Sequence, residues 1–126
     1  RIIVGEVRGT GSADMVHALN SGHPGSMSTG HANSCLEMLE RLTGLVMAGS
    51  QLPYEAIVSQ LSMGIDLIIH ITRNREGKRY IDEISQVLPS KNNNFNLFKL
   101  YTNYGGTGLE RRCDIEKIEQ CSKYQV

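Results

Sequence analysis

The most restrictive feature of this sequence stands at its very start. RIIV places Ile2, Ile3 and Val4 in one unbroken β-branched run, followed at once by Gly5 and Glu6. Continuous apolar runs of this kind belong to strands covered on both faces, as parallel sheets are. Such a strand needs neighbours, and a strand at residue 1 leaves little to bury it. The expectation is a chain that begins inside a larger domain, with the first strands of that domain lying upstream.

The chain has 126 residues, enough for one modest domain. Lys plus Arg and Asp plus Glu stand at 13 each, so no net positive field draws in phosphate backbones or anionic lipid. Nucleic acid is therefore not expected as a partner. No apolar run approaches the roughly 20 residues of a membrane span, and no segment has the make-up of a signal peptide. These features predict a soluble, cytoplasmic chain. Cys35, Cys113 and Cys121 are odd in number and contain no C-x-x-C pair, which predicts free thiols rather than a disulfide framework or a cysteine zinc site.

After the turn at Gly9 to Gly11, Ser12 can cap a helix running to Asn20 that buries Met15, Val16 and Leu19. The stretch SGHPGSMSTGHANS is rich in Gly, Ser and His, the composition of a functional loop around a short strand near residues 26 to 29. Ser34 and Glu37 form an S-x-x-E capping box, and Leu36, Leu39, Leu42, Leu45 and Val46 follow near helical spacing. Pro53 suits the first position of another helix, which carries Ile57, Val58 and Leu61 to about Gly64. IDLIIHIT reads as a strand, NREGKR as a charged turn and residues 79 to 88 as its antiparallel return. From Pro89, SKNNNFN reads as a polar linker and FNLFKLYTNY as a short strand. The tail DIEKIEQCSKY reads as a short helix with Ile115 and Ile118 on one stripe. The order of elements predicts an α/β fold with an antiparallel appendage.

Glu6 ends an apolar strand, the place where open α/β sheets present ligands. A carboxylate there can polarise water or hold magnesium through water, as nucleotide hydrolysis requires; it can equally be a structural acid paired with Arg8. His23 and His31 bracket a Gly/Ser loop with Ser28, Thr29 and Asn33. Such donors can converge on a terminal phosphate, can merely bond backbone carbonyls, or can form a zinc site together with Cys35. His17 and His70 are expected as partly buried structural histidines. Arg73, Arg75, Lys78 and Arg79 make a basic hairpin tip, either a solvated turn or a contact for an acidic partner or another subunit.

Two of these segments, in this order, resemble a known family. RIIVGEVRG resembles the Walker B strand, and GHPGSMSTGHANS the histidine box, of the secretion-superfamily ATPases of type II and type IV secretion and pilus assembly. ALNSGHPGSMSTGHANS continuing into LEMLERL, then MAG and LPYEAIVSQLSMGIDLIIHITR, resembles the Tad (Flp) pilus subgroup in particular. The resemblance covers roughly residues 1 to 88. It implies an α/β fold forming the C-terminal part of a RecA-like P-loop NTPase core, with a mainly parallel sheet flanked by helices and an antiparallel hairpin at one edge. Residues 1–88 would be the C-terminal half of that ATPase domain, and 89–126 a C-terminal extension.

The resemblance further implies ATP and Mg2+ as cofactors, a homo-hexamer, and a location at the inner membrane through the secretion or pilus machinery alone. By position, Glu6 would be the Walker B glutamate acting on water or magnesium, and Arg8 would orient the loop after it. His31 would read the terminal phosphate, with Thr29 and His23 in the same box contributing to the nucleotide site. The sequence departs from the family in having no G-x-x-x-x-G-K-[ST] phosphate loop. GGTGLERR lacks the lysine and hydroxyl and reads as a turn. Hydrolysis is therefore expected only in a longer protein, and the alternative is a non-hydrolytic oligomerisation or interaction module of the machinery. A RecA-like DNA motor would share the fold but not the histidine box or the balanced charge.

Overall fold

The computed structural model describes residues 1–9 and 11–113. The expected tail helix with Ile115 and Ile118, and Cys121, lie outside the described residues. The order is β1 (Ile3–Val4), α1 (Gly11–Asn20), β2 (Met27–Ser28), α2 (Cys35–Gly49), α3 (Tyr54–Gly64), β3 (Leu67–Arg73), β4 (Arg79–Lys91), β5 (Asn94–Thr102) and β6 (Glu110–Arg111).

β1 and β2 pair in parallel through Ile3↔Met27 and Val4↔Ser28, joined by the crossover that contains α1. The other four strands form an antiparallel meander in the order β3-β4-β5-β6. The fold is thus α/β, but the expected mainly parallel sheet is corrected: among the described residues one short pair is parallel and the larger sheet is antiparallel. The cause lies in the connections. Parallel strands need a long crossover, whereas the β3–β4 and β4–β5 links are tight turns that can only reverse the chain. In the first, Asn74 Oδ1 accepts from the amides of Glu76 and Lys78, and Gly77 takes φ +81°. In the second, Asn92 and Asn93 stand at φ +52° and +60°, the two positive values that a two-residue hairpin turn requires.

The stretch SKNNNFN is therefore a hairpin rather than a linker. β4 runs through Pro89 to Lys91, so residue 88 lies inside a strand. Pro89 is accommodated because the register slips between Leu88 and Lys91, a bulge where a missing N–H costs no ladder bond.

α1, α2 and α3 pack together over a core of Val7, Met15, Val16, Leu42, Val46, Ile57 and Leu61, with Phe95 reaching it from β5. Leu39, Ile57, Val58 and Leu61 are wholly buried. Leu19 is only partly so. Ser12 stands inside α1 rather than before it, and its buried hydroxyl donates to the Gly9 carbonyl at 2.8 Å. Pro53 precedes α3 as its N-cap. β1 is not covered on both faces: Ile3 is 73% exposed and its neighbour Met27 62%. No helix of the described residues is long and apolar enough to cross a membrane.

Candidate functional site at the carboxyl end of the parallel pair

The register of β1 and β2 decides which side chains meet. Met27 N donates to the Ile2 carbonyl at 3.0 Å and Val7 N to the Thr29 carbonyl at 2.9 Å, so the two segments run side by side from residues 2 to 7 and 27 to 29. The Thr29 hydroxyl also donates to the Gly5 carbonyl. Because the strands are parallel, Glu6 and the segment after Thr29 emerge together at the carboxyl end. Val7, buried immediately afterwards, anchors Glu6 from below.

The Glu6 carboxylate is held from two sides. Arg8 Nη2 lies 2.6 Å from Oε2, and His31 Nε2 lies 3.3 Å from Oε1. Arg8, bonded to the carboxylate, brings its pKa down against a smaller opposing effect of desolvation, and the charges of Arg8, His31 and Arg41 act in the same direction. Glu6 is an anion at neutral pH. The Arg8 and His31 side chains are 76% and 78% exposed, so the group faces solvent and the pairs add little to stability.

The loop carrying His31 is fastened to α2. Ser34, with extended backbone, is the N-cap, and its Oγ accepts from Glu37 N at 3.1 Å. Glu37 reaches back one residue further than a standard capping box, accepting from Asn33 N at 3.2 Å and Asn33 Nδ2 at 2.8 Å. Arg41, one turn on and on the same helix face, donates from Nη1 to the His31 carbonyl at 2.7 Å. Arg41 is the residue that sequence reasoning missed. The only signal was the Glu37/Arg41 spacing of four, which reads as an ordinary surface pair; its backbone-directed contact leaves no pattern.

His23 is not brought to this group. Its Nδ1 lies 3.3 Å from Ser21 Oγ, and its carbonyl accepts from Ser26 Oγ, which in turn accepts from Ile2 N. It thus stands at the amino end of β2, opposite to His31. Among the described residues no group of His, Cys, Asp and Glu is arranged to hold a metal ion, so His23, His31 and Cys35 do not form a zinc site. Cys35, the first residue of α2, is instead buried with its Sγ toward β3, 3.8 Å from the Ile68 carbonyl, and Cys35 and Cys113 are free thiols. His17 is exposed rather than partly buried, whereas His70 is partly buried and 3.3 Å from Asp82 Oδ2. GGTGLERR forms the turn into β6, with Gly105, Gly106 and Gly108 all at positive φ.

The donor set suits an indirect magnesium site. Magnesium takes one or two carboxylates and completes its shell with water and phosphate oxygens. Glu6 supplies one carboxylate, and both its oxygens are already engaged, so it would hold the ion through water.

Residues 1–117 match the family model described as type II/IV secretion system protein. A putative conjugal transfer protein of Mycobacterium tuberculosis is 41% identical over 85 residues, 68% of this chain and 24% of that protein. The conjugal transfer protein TrbB of Rhizobium radiobacter is 36% identical over 95 residues, 75% of this chain and 28% of its own length. Among solved structures, the VirB11 ATPase from the Brucella suis type IV secretion system in complex with sulphate is similar with a TM-score of 0.64 at 36% identity, over 68% of this chain and 27% of that one. The chain spans about a quarter of the length of these relatives.

Proposed function

The chain belongs to the type II/IV secretion system protein family, and from that premise we propose that it is the C-terminal portion of an ATPase that powers type II or type IV secretion or pilus assembly. The observation that carries the proposal is the meeting of Glu6 with His31 at the carboxyl end of a parallel strand pair. In this proposal residues 1–88 belong to a RecA-like ATPase domain and residues 89–126 extend it. The exposed Ile3 and Met27 fit a sheet continued by further strands.

The geometry supports the following roles in this proposal. Glu6 orients the attacking water and would hold the magnesium of ATP through water; when bound, the ion would supply neutralisation of charge on the phosphate oxygens. Arg8 keeps the Glu6 carboxylate ionised and fixed. His31 exchanges its contact with Glu6 for a hydrogen bond to the terminal phosphate. Thr29 sets the register of the two strands through Gly5, and His23 supports the box through the Ser26 link to Ile2. Working unit and location follow the family: a homo-hexamer, cytoplasmic and peripheral to the inner membrane through the secretion apparatus. The named relatives favour conjugal transfer and type IV secretion, while the motif run GHPGSMSTGHANS to HITR favours the Tad/Flp pilus branch.

Without a phosphate loop the chain alone is expected to be inactive. Calorimetric titration of the chain with ATP and magnesium tests this: no binding up to millimolar nucleotide agrees, and micromolar, magnesium-dependent binding contradicts it. In the full-length protein, His31→Ala is expected to lose turnover while retaining nucleotide; unimpaired hydrolysis would remove His31 from the site.

One observation favours the non-hydrolytic alternative. Arg73 and Arg79 are paired directly across β3 and β4, a costly arrangement for like charges, and neither has an acidic partner among the described residues. A tip of this kind suits an acidic surface on another subunit. Charge reversal at Arg75 and Lys78 would weaken association by light scattering, and a salt-independent monomer at high concentration would remove the alternative.

A further inference from the structure

The segment between β2 and α2 has two sets of anchors. Thr29 is tied to β1, by its carbonyl to Val7 N and by its hydroxyl to the Gly5 carbonyl. From residue 31 to residue 34 the backbone is anchored to α2: the His31 carbonyl by Arg41, Asn33 by Glu37, and Ser34 as the cap. Only Gly30 separates the two sets. It lies against the tip of the Met38 side chain from α2, which an added Cβ would meet at Cε and Sδ. The backbone of His31 is thus placed by the helix, while Glu6 is placed by the strand.

The 3.3 Å contact between His31 and Glu6 therefore depends on what holds the helix-side anchor at residue 31 itself, and that is Arg41. A charge-assisted N–H···O=C bond of 2.7 Å is among the stronger single hydrogen bonds available to a surface loop. The same guanidinium lies near enough to Glu6 to lower the pKa of its carboxyl. We infer that Arg41 is a positioning residue of the proposed nucleotide site, holding the His31 backbone so that the imidazole stays in register with Glu6. This rests on the ATPase role proposed above. It also makes α2 the element whose displacement moves His31 relative to Glu6, because the strand-bound anchor ends at Thr29.

The test uses the full-length ATPase. Arg41→Met is expected to lower kcat roughly 10- to 100-fold, the usual penalty for a misplaced catalytic group, with KM changed by no more than about threefold. In a His31→Ala background, the same substitution is expected to cost nothing further, because the residue it positions is gone. Arg41→Lys, which keeps the charge and one long-reaching donor, is expected to recover most of the loss.

Full kcat in Arg41→Met would overturn the inference, as would an equal loss with and without His31, which would mark Arg41 as a direct phosphate contact or a general structural support. If Arg41→Met melts early, Arg41→Lys and its His31→Ala combination carry the comparison. A lysine variant of native melting temperature but with kcat as low as that of His31→Ala would overturn the inference. Near-normal turnover by His31→Ala would overturn the site itself, an outcome distinct from an inactive His31→Ala beside a fully active Arg41→Met, which would overturn the role of Arg41 alone.

Discussion

Nε2 of His31 lies 3.3 Å from one oxygen of Glu6 while Arg8 Nη2 holds the other at 2.6 Å. The carboxylate is thus shared between a residue two positions further along the segment that follows β1 and one delivered by the loop between β2 and α2. This sharing makes the site both a hydrolytic candidate and a testable electrostatic unit.

Arg8 is the main cause of the depressed Glu6 pKa. Arg8→Gln should raise it toward the ordinary carboxylate value, read by carboxyl-carbon NMR titration. The sign for stability follows. A carboxyl whose folded pKa lies below its unfolded one contributes stability above the unfolded pKa and loses it as the pH falls through the folded value. The wild-type chain should therefore show a small acid-side loss that Arg8→Gln diminishes, the charges of His31 and Arg41 remaining in place. A Glu6 titration indifferent to Arg8 would contradict the geometry.

Burial pushes the Cys35 thiol up to about 12, with the nearby Glu83 carboxylate adding to the effect. Thiolate is the reactive form, so Cys35 should resist alkylation in the folded chain at pH 8 while the partly exposed Cys113 is modified. Peptide mapping after a brief pulse of iodoacetamide would read this. Equal labelling of the two would show that the start of α2 does not pack Cys35 against β3.

Ile57 is wholly buried where α1, α2 and α3 meet. Truncation to Ala should cost about 2–5 kcal/mol by the combined loss of transfer energy and the cavity left behind. A change below about 1 kcal/mol in urea unfolding would mean that the three helices do not share this core.

The Asn92–Asn93 turn depends on two positive φ values. Asn93→Gly should leave stability unchanged or slightly raised, and Asn92→Val should cost about 1–2 kcal/mol, since a β-branched residue resists the left-handed region. Equal stability of the two variants in thermal melts would argue for a different turn.

How much of this was legible depends on which residues carried the signal. Side chains with local partners announced themselves. The S-x-x-E spacing marked the start of α2, and Ile57, Val58 and Leu61 marked the buried face of α3. Glu6 after a β-branched run pointed to the end of a strand. Features set by non-local register did not announce themselves. Pro89 reads as a break, yet a bulge carries β4 through it, and the three asparagines that looked like a linker supply the turn and the first residue of β5. His23 and His31 share one motif, but only the parallel pairing of β1 with β2 shows that they stand at opposite ends. Arg41 acts on a backbone carbonyl, and no residue type in the loop encodes that partner.

The account turns on Glu6. In the full-length protein, parallel measurement of ATP hydrolysis and nucleotide affinity for Glu6→Gln tests it most directly. Loss of turnover with ATP binding preserved is the predicted result, because the carboxylate acts on the hydrolytic step rather than on the hold over the phosphates. Near-normal hydrolysis by Glu6→Gln would contradict the account and leave the contact with His31 a structural one.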